Sequence, residues 1–262
     1  MRAQLKALAR EQIKGNILQL FVIRLVTSLI IGGVIYLPML ILTTLGGILQ
    51  SNVIIISSVV LIYVIVFIFS TAFSIGVVKI HLDLAKGVKP KFEMLEFGFL
   101  NLKSSLILML QILWRTLLCM LVFIVPFIAI EYIPALSSYT EYTEVLFGAR
   151  IIFLVIFYAL TIFLLLRYSM ADYIFIENPE MRPSDALKES VIITTGRKWE
   201  IFVLGLSFIF WILLVTITCG IASIYVFPYI EATLVNYYNS IKRNIAIADI
   251  PDDEEPDETD DD

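Results

Sequence analysis

Residues 53–78, VIIISSVVLIYVIVFIFSTAFSIGVV, form an uninterrupted apolar run without a single charged side chain. As an α-helix rising 1.5 Å per residue, this run would be about 39 Å long, whereas the hydrocarbon core of a bilayer is about 30 Å thick. A helix on the surface of a soluble domain would instead carry a polar face. The run therefore predicts a transmembrane helix.

The rest of the chain repeats this pattern. Hydrophobic residues make up 59% and charged residues 16%, whereas soluble domains have about 45–50% and about 25%. Further apolar runs of about 20 residues or more lie at 17–45, 106–130, 151–176, 201–219 and 221–241. The last contains Pro228, Glu231 and Asn236, and only Gly220 separates it from the fifth. We expect an all-α, polytopic membrane bundle of about six transmembrane helices.

The basic residues predict the orientation of this bundle. They cluster before the first run, after the second, after the fourth and after the sixth: Arg2, Lys6, Arg10, Lys14; Lys79, Lys86, Lys89, Lys91, Lys103; Arg182, Lys188, Arg197, Lys198; Lys242, Arg243. On the other side, 46–52 and 219–221 have none, and 131–150 has only Arg150. Because basic loops stay in the cytoplasm, both termini are expected there, which requires an even number of spans.

Charge divides the chain into three predicted parts: a basic amphipathic segment at 1–16, the membrane domain at 17–241 and an acidic, disordered tail at 242–262. Residues 249–262 contain ten acidic and no basic residues, so the rest carries +5 although the whole chain carries −5. We expect the tail to be solvated, or to dock on a basic partner or the protein's own inner loops. The first apolar run is too long for a cleavable signal.

Two local features concern packing. Residues 183–196 predict a short amphipathic helix with Ser184 as N-cap and one apolar side, made of Leu187, Val191 and Ile192. This helix would lie at the membrane interface or shield the inner ends of the bundle. The small residues Ala72 and Gly76 would allow close helix contact, either within the bundle or between protomers.

Ionisable residues inside the predicted spans are the main functional signal, since charge is costly in hydrocarbon. Arg24 lies about 10 Å from the inner interface by helix rise, and Arg115, Arg167 and Glu231 lie about 15 Å from it. Asp172 lies about one and a half turns nearer the cytoplasm than Arg167.

Three interpretations of these charges stay open. Arg24 could extend to the interface while Glu231 pairs with Arg115 or Arg167 as structural support. Alternatively, the three arginines could form an inward-facing pocket for an anionic group, because guanidinium binds phosphate and carboxylate bidentately. Glu231 could also belong to a proton or ion pathway, with Asp172 and Asn236 as partners. Pro228 is expected to kink the sixth span beside Tyr229 and Glu231.

Catalytic signals are absent from the sequence. His81 is the only histidine, is expected to be solvated at the inner end of span two, and cannot form a metal site alone. Cys119 and Cys219 lie in apolar runs, which is typical of buried thiols. No nucleophile elbow, zinc-protease, P-loop or dinucleotide motif occurs. We therefore expect no enzyme activity, no cofactor, no metal and no nucleic-acid partner.

Several short motifs resemble one family. They are Leu5-Lys6-Ala7-Leu8-Ala9-Arg10 with Lys14-Gly15-Asn16; Tyr168, Ala171 and Asp172; Ala186-Leu187 and Ser190; Gly196-Arg197-Lys198; Trp211; Thr218 with Gly220; and Pro228-Tyr229 with Tyr237-Tyr238. This pattern over residues 1–241 resembles the domain-of-unknown-function 975 family of bacterial integral membrane proteins. The resemblance implies a six-span protein of the cytoplasmic membrane, mainly in Gram-positive bacteria, without an established activity. A distant likeness to the membrane domain of glycerophosphodiester phosphodiesterases implies a glycerophospholipid-related ligand.

Two functions follow as hypotheses. The first is a non-enzymatic membrane protein that binds or translocates an anionic amphiphile, with Arg24, Arg115 and Arg167 as anion contacts and Glu231 as partner or proton switch. The second is an accessory or immunity-type membrane subunit that regulates or protects a transporter. The expected partners are membrane lipids, including anionic ones, and either a membrane protein or a second copy of the chain.

Overall fold

The computed structural model describes residues 2–49, 51–136 and 143–248, and its regular secondary structure is helical throughout these ranges. The α-helices are α1 (Arg2–Ile13), α2 (Ile17–Ile48), α3 (Asn52–Ala85), α4 (Glu96–Leu100), α5 (Leu102–Leu136), α6 (Thr143–Leu165), α7 (Ala171–Glu177), α8 (Pro183–Thr194), α9 (Lys198–Leu206), α10 (Ile209–Ile217) and α11 (Ser223–Ala248). Short 3-10 turns occupy Phe92–Leu95 and Leu166–Tyr168. The predicted all-α class is confirmed.

Five helical segments of the described residues are long and apolar enough to cross a membrane. They are Ile17–Ile48, Asn52–Ala85, Leu102–Leu121, Arg150–Glu177 and Lys198–Ile217, and each overlaps one of the first five predicted runs. The protein is therefore a multi-pass membrane protein. The fourth and fifth segments are interrupted, because α6 gives way to a 3-10 turn before α7 and a two-residue turn separates α9 from α10.

The sixth predicted run lies in α11, which is not among these five apolar segments. α11 has 26 residues and is about 39 Å long, enough to cross a bilayer. It packs against α1, α2, α3 and α10, and its side chains Tyr229, Val235 and Tyr237 are buried. A helix enclosed by other helices needs no apolar lipid-facing surface, so low hydropathy is compatible with a central span. The count of six stays a prediction.

α11 also continues past the predicted end of the membrane domain. The helix runs to Ala248, so residues 242–248 are helical although they were assigned to the tail. The remaining predicted tail, residues 249–262, lies outside the described residues.

The packed core lies at one end of the bundle, here called the basic end, where α2 begins and α3 ends. Most residues from Thr71 to Leu84 on α3 are buried. Toward the opposite end, large apolar side chains are exposed, among them Tyr36 (73%), Val53 (76%) and Phe210 (79%). Exposed apolar surface of this kind suits contact with lipid chains, which solvate it as well as a protein interior does.

The predicted amphipathic segment at the N-terminus forms α1, which packs on α11 within the core. Its buried face consists of Leu5, Ala9 and Ile13, spaced four residues apart along one side of the helix. The Lys6 ammonium donates a hydrogen bond to the Ser207 carbonyl at 3.3 Å and lies 4.6 Å from the centre of the Phe208 ring. α1 is therefore an integral part of the bundle.

The connection after α3 folds back along that helix. A Cβ atom on Gly98 would lie 1.9 Å from the Ala72 carbonyl oxygen, and one on Gly76 would lie 2.9 Å from the Leu95 backbone. The Phe99 ring completes this contact, with its centre 5.1 Å from that of Phe73. Ala72 and Gly76 thus serve packing within one chain, which answers the question that the sequence left open.

The predicted helix at 183–196 forms α8, but two of its details were wrong. The N-cap position is Arg182 rather than Ser184, because Pro183 occupies the first turn, where its missing N–H costs nothing. The buried face consists of Ala186, Leu187, Ser190 and Thr194, while Ile192 is 71% exposed. The polar members are buried because they bind backbone groups of a neighbouring segment. α8 packs against α5 and α7 as part of the bundle.

Candidate functional site

A polar cavity of about 200 Å³ lies between α2, α3 and α11 near the basic end. One wall carries Arg24 of α2, and Glu231 of α11 faces the same cavity. The remaining lining residues are Thr27, Ser28, Ile31, Ser70, Phe73, Ser74, Val77 and Val78. The structure thus brings one predicted arginine and the predicted acidic residue together in a single space.

Arg24 is positioned by an aromatic contact. Its guanidinium carbon lies 4.6 Å from the centre of the Phe227 ring, within the range of a cation–π interaction. Phe227 and Glu231 are four residues apart on α11 and therefore lie on the same side of that helix. Pro228 is inside α11 and lines a neighbouring hollow of about 130 Å³ that Arg24 also borders. The predicted kink at Pro228 stays a prediction.

A buried group of titratable residues lies behind Glu231. His81 is only 4% exposed, so the prediction of a solvated histidine was wrong, because α3 continues beyond the predicted span and packs in the core. Its Nδ1 lies 2.9 Å from the Val77 carbonyl oxygen, while its Nε2 and the Asp172 Oδ1 atom have no hydrogen-bond partner among the described residues. Glu231 interacts electrostatically with both side chains.

Arg115 and Arg167 lie at a different place, where the fourth span is interrupted. The Arg115 guanidinium on α5 lies 5.6 Å from the centre of the Tyr168 ring. Tyr168 directly follows Arg167 in the chain. The Arg115 Nη1 and Arg167 Nε atoms are buried without a hydrogen-bond partner in the described parts of the chain. The Arg24 cavity is not lined by either residue. The predicted three-arginine pocket is therefore divided between two locations.

The interruption of the fourth span is held together by α8. The Ser190 hydroxyl donates to the Arg167 carbonyl at 2.9 Å and accepts a hydrogen bond from the Met170 amide at 3.3 Å. The Thr194 hydroxyl lies 3.3 Å from the same Arg167 oxygen. These side chains satisfy backbone groups that a continuous helix would have paired itself. They also fix the backbone that carries Arg167.

Asn236 has a structural partner rather than a place in the cavity. Its amide nitrogen donates to the Gln12 side-chain oxygen at 2.9 Å, and the Gln12 amide nitrogen donates to Asn236 at 3.1 Å. Asn236 is 4% exposed and Gln12 is half-buried, so the pair is a partly buried link between α1 and α11. Likewise, the Tyr237 hydroxyl donates to the Glu200 carboxylate at 3.1 Å. The polar side chains of the sixth predicted run thus have different partners on different helices.

We expect Asn236→Ala to lower the free energy of unfolding by about 1–3 kcal/mol, because the half-buried Gln12 amide would lose both bonds. Thermal melting in mild detergent measures this loss. Asn244→Ala, at an exposed position of the same helix, is the matched control and should change little. A double-mutant cycle with Gln12→Ala should give a favourable coupling; equal melting of the two asparagine variants would contradict the structural link.

Sequence reasoning did not identify the hydroxyl residues of the cavity. Thr27 and Ser28 lie one turn after Arg24 on α2, and Ser70 and Ser74 lie one turn apart on α3. Such spacings of three and four residues place side chains on one helix face. This spacing was the available signal, but nothing in it shows that α2 and α3 turn these faces toward α11.

These features define an α-helical, multi-pass membrane protein with ionisable side chains inside the bundle. A family model described as "Protein of unknown function (DUF975)" matches residues 1–245. The chain belongs to this family, as its short motifs predicted. No curated protein and no solved structure matches the chain.

Proposed function

We propose that this protein binds or moves an anionic amphiphile, a lipid or a peptide, and has no enzymatic activity. We further propose that it lies in the cytoplasmic membrane of a Gram-positive bacterium with six crossings and both termini in the cytoplasm. The basic loops described above support this orientation.

The observation that carries the proposal is a pair of half-buried arginines at the interruption of the fourth span, each with a buried nitrogen atom. Arg115 Nη1 and Arg167 Nε lack hydrogen-bond partners among the described residues. A buried N–H donor without a hydrogen-bond partner costs about 1–3 kcal/mol. A phosphate or carboxylate offers paired acceptor oxygens that would satisfy such donors bidentately. An anionic group at this place would therefore stabilise both arginines.

The surroundings of Arg167 favour an anion with an apolar chain. Leu166, the preceding residue, lines an apolar hollow of about 200 Å³ between α6 and α9. The hollow is lined by Ala159, Ile162, Phe163, Leu166, Lys198, Trp199 and Phe202. Near Arg115, Trp114 is 62% exposed on α5. A lipid could place its head group near the arginines and a chain along these surfaces, which a free inorganic anion would leave unused.

Native mass spectrometry of the full chain, released from membranes in mild detergent, tests the proposal. We expect a retained anionic lipid or peptide in the wild type and its loss when Arg115 and Arg167 are both changed to Gln. Arg182→Gln removes a guanidinium from the protein surface and is the matched control, since its side chain is 84% exposed. Equal retention in the double variant and the control would contradict the proposal.

The same experiment distinguishes amphiphile binding from the hypothesis that the protein is an accessory subunit. A protein that carries no amphiphile but co-purifies stably with a membrane protein would support that role instead. In that case, changes in the loops should disturb the complex more than changes at Arg115 and Arg167.

A further inference from the structure

The cavity between α2, α3 and α11 contains opposite charges that do not pair with each other. Arg24 and Glu231 both line it, yet the ion pairs within 4.0 Å among the described residues do not join them. Opposite charges in a medium of low dielectric attract strongly, so a direct pair would be favourable if the helices allowed it. Phe227 holds the Arg24 guanidinium on one side of the cavity.

We propose that this cavity is a second binding site, separate from the Arg115–Arg167 region, for a small zwitterionic group with a phosphate and a primary ammonium. The phosphate binds Arg24, and the ammonium binds Glu231. This proposal does not rest on the function proposed above, because it uses different residues on different helices.

The hydroxyl groups of the cavity suit an ammonium. The Thr27 hydroxyl donates its proton to the Ile23 carbonyl at 2.8 Å, and the Ser70 hydroxyl donates to the Phe67 carbonyl at 3.2 Å. Because each hydroxyl has only one proton, the free lone pairs of both oxygens can only accept. An ammonium has three donors and no acceptor. Glu231 and these hydroxyls together therefore give the cavity several hydrogen-bond acceptors in addition to the donors of Arg24.

The charges of the cavity also exclude simpler ligands. An anion without an amine would bind Arg24 but would be repelled by Glu231. A cation without an anionic group would be repelled by Arg24. Only a group that carries both charges can pair with Arg24 and Glu231 at the same time. The cavity therefore selects zwitterions by electrostatic complementarity.

Size and access fit a head group. A cavity of about 150 Å³ holds a benzene molecule, and this one has about 200 Å³. Ser28 and Ser74 line it and are exposed on the surface of the bundle, which opens the cavity between α2 and α3. A phosphoethanolamine group could enter there as the head of a membrane lipid, or as the free small molecule.

The test measures binding of phosphatidylethanolamine, phosphatidylglycerol and free phosphoethanolamine to the purified full chain by native mass spectrometry and thermal melting. In the variant with Arg115 and Arg167 both changed to Gln, which lacks the other proposed site, we expect phosphatidylethanolamine to bind more tightly than phosphatidylglycerol. Arg24→Gln and Glu231→Gln should each weaken that binding about tenfold or more, the loss expected for a charge-assisted contact. Glu231→Gln should narrow the preference between the two lipids, since it removes the charge that repels the anionic lipid.

Two further variants keep the result decisive. Ser74→Leu changes an exposed position at the cavity entrance, so it should block binding while the protein stays folded, even if Glu231→Gln fails to fold. Changing Arg115 and Arg167 to Gln should leave phosphatidylethanolamine binding intact, which distinguishes this site from the one proposed above. Response to free phosphoethanolamine alone would assign a soluble ligand to the site. Equal binding of both lipids to the variant with Arg115 and Arg167 changed to Gln, or binding unchanged by Arg24→Gln and Ser74→Leu in that variant, would overturn the proposal.

Discussion

Gly98→Ala is expected to destabilise the protein by about 3 kcal/mol or more, or to prevent folding, because the new methyl group has no room. Its Cβ atom would lie 1.9 Å from the Ala72 carbonyl oxygen and 2.7 Å from the Ala72 carbonyl carbon. Both atoms belong to the backbone of α3, so no side-chain rotation relieves the clash. The segment from Phe92 to Leu100 would have to move away from α3 and expose part of the core.

Two other glycines turn this prediction into an ordered series. A Cβ on Gly76 would lie 2.9 Å from the Leu95 backbone, so Gly76→Ala should destabilise the protein less than Gly98→Ala. Gly33 lies inside α2 with no neighbouring atom within 4 Å of an added Cβ. Gly33→Ala should be neutral or should stabilise the helix by about 0.5–1 kcal/mol. Melting temperatures in one detergent give the order, and equal values for Gly98→Ala and Gly33→Ala would contradict it.

The sequence was sufficient to predict the helical membrane architecture, because long apolar runs have few structural alternatives in a bilayer. Five of the predicted spans coincide with apolar helices in the structure. The family was also predictable, since its motifs extend over most of the chain. In both cases the information is local, in the length of a run or the order of neighbouring residues.

The grouping of the intramembrane charges could not be predicted in the same way. Helix rise predicts depth along a span, but it contains no information on which helices are neighbours. Arg24 and Arg115 were assigned to one pocket because their depths are similar. In the structure, Arg24 faces α11 while Arg115 contacts Tyr168. Similar depth was therefore a poor guide to proximity, and the role of Glu231 as partner or proton switch stays a prediction.

The face of α8 shows a second limit of local patterns. Its apolar residues suggested a buried side with Val191 and Ile192, yet the buried side includes Ser190 and Thr194. The reason lies in another segment, since the interruption at Arg167 leaves backbone groups that need partners. A prediction from hydrophobic periodicity assumes that the buried residues of a helix are the apolar ones. This assumption fails where a buried polar side chain forms hydrogen bonds with the backbone of an interrupted helix.

Ser190→Ala is therefore expected to be the most damaging small change in α8, with a loss of about 2–4 kcal/mol in the free energy of unfolding. Ser190 is fully buried, and its hydroxyl both donates to the Arg167 carbonyl and accepts from the Met170 amide. Alanine removes both bonds and leaves the Met170 N–H without this acceptor. The Thr194 hydroxyl lies 3.3 Å from the Arg167 carbonyl oxygen, but its single proton has a closer acceptor in the Ser190 carbonyl at 2.7 Å, so Thr194 replaces the lost bond only in part.

Thr195→Ala is the matched control, because Thr195 lies directly after α8, is exposed, and bonds only to the Val191 carbonyl one turn before it. It should melt close to the wild type. Amphiphile binding gives a second readout, because the Ser190 hydroxyl donates a hydrogen bond to the Arg167 carbonyl. If the interruption positions Arg167 for an anionic group, Ser190→Ala should also reduce the retained amphiphile in native mass spectrometry, although no charge has been removed. If Ser190→Ala and Thr195→Ala have the same melting temperature, the stability of the interrupted helix does not depend on the Ser190 hydroxyl.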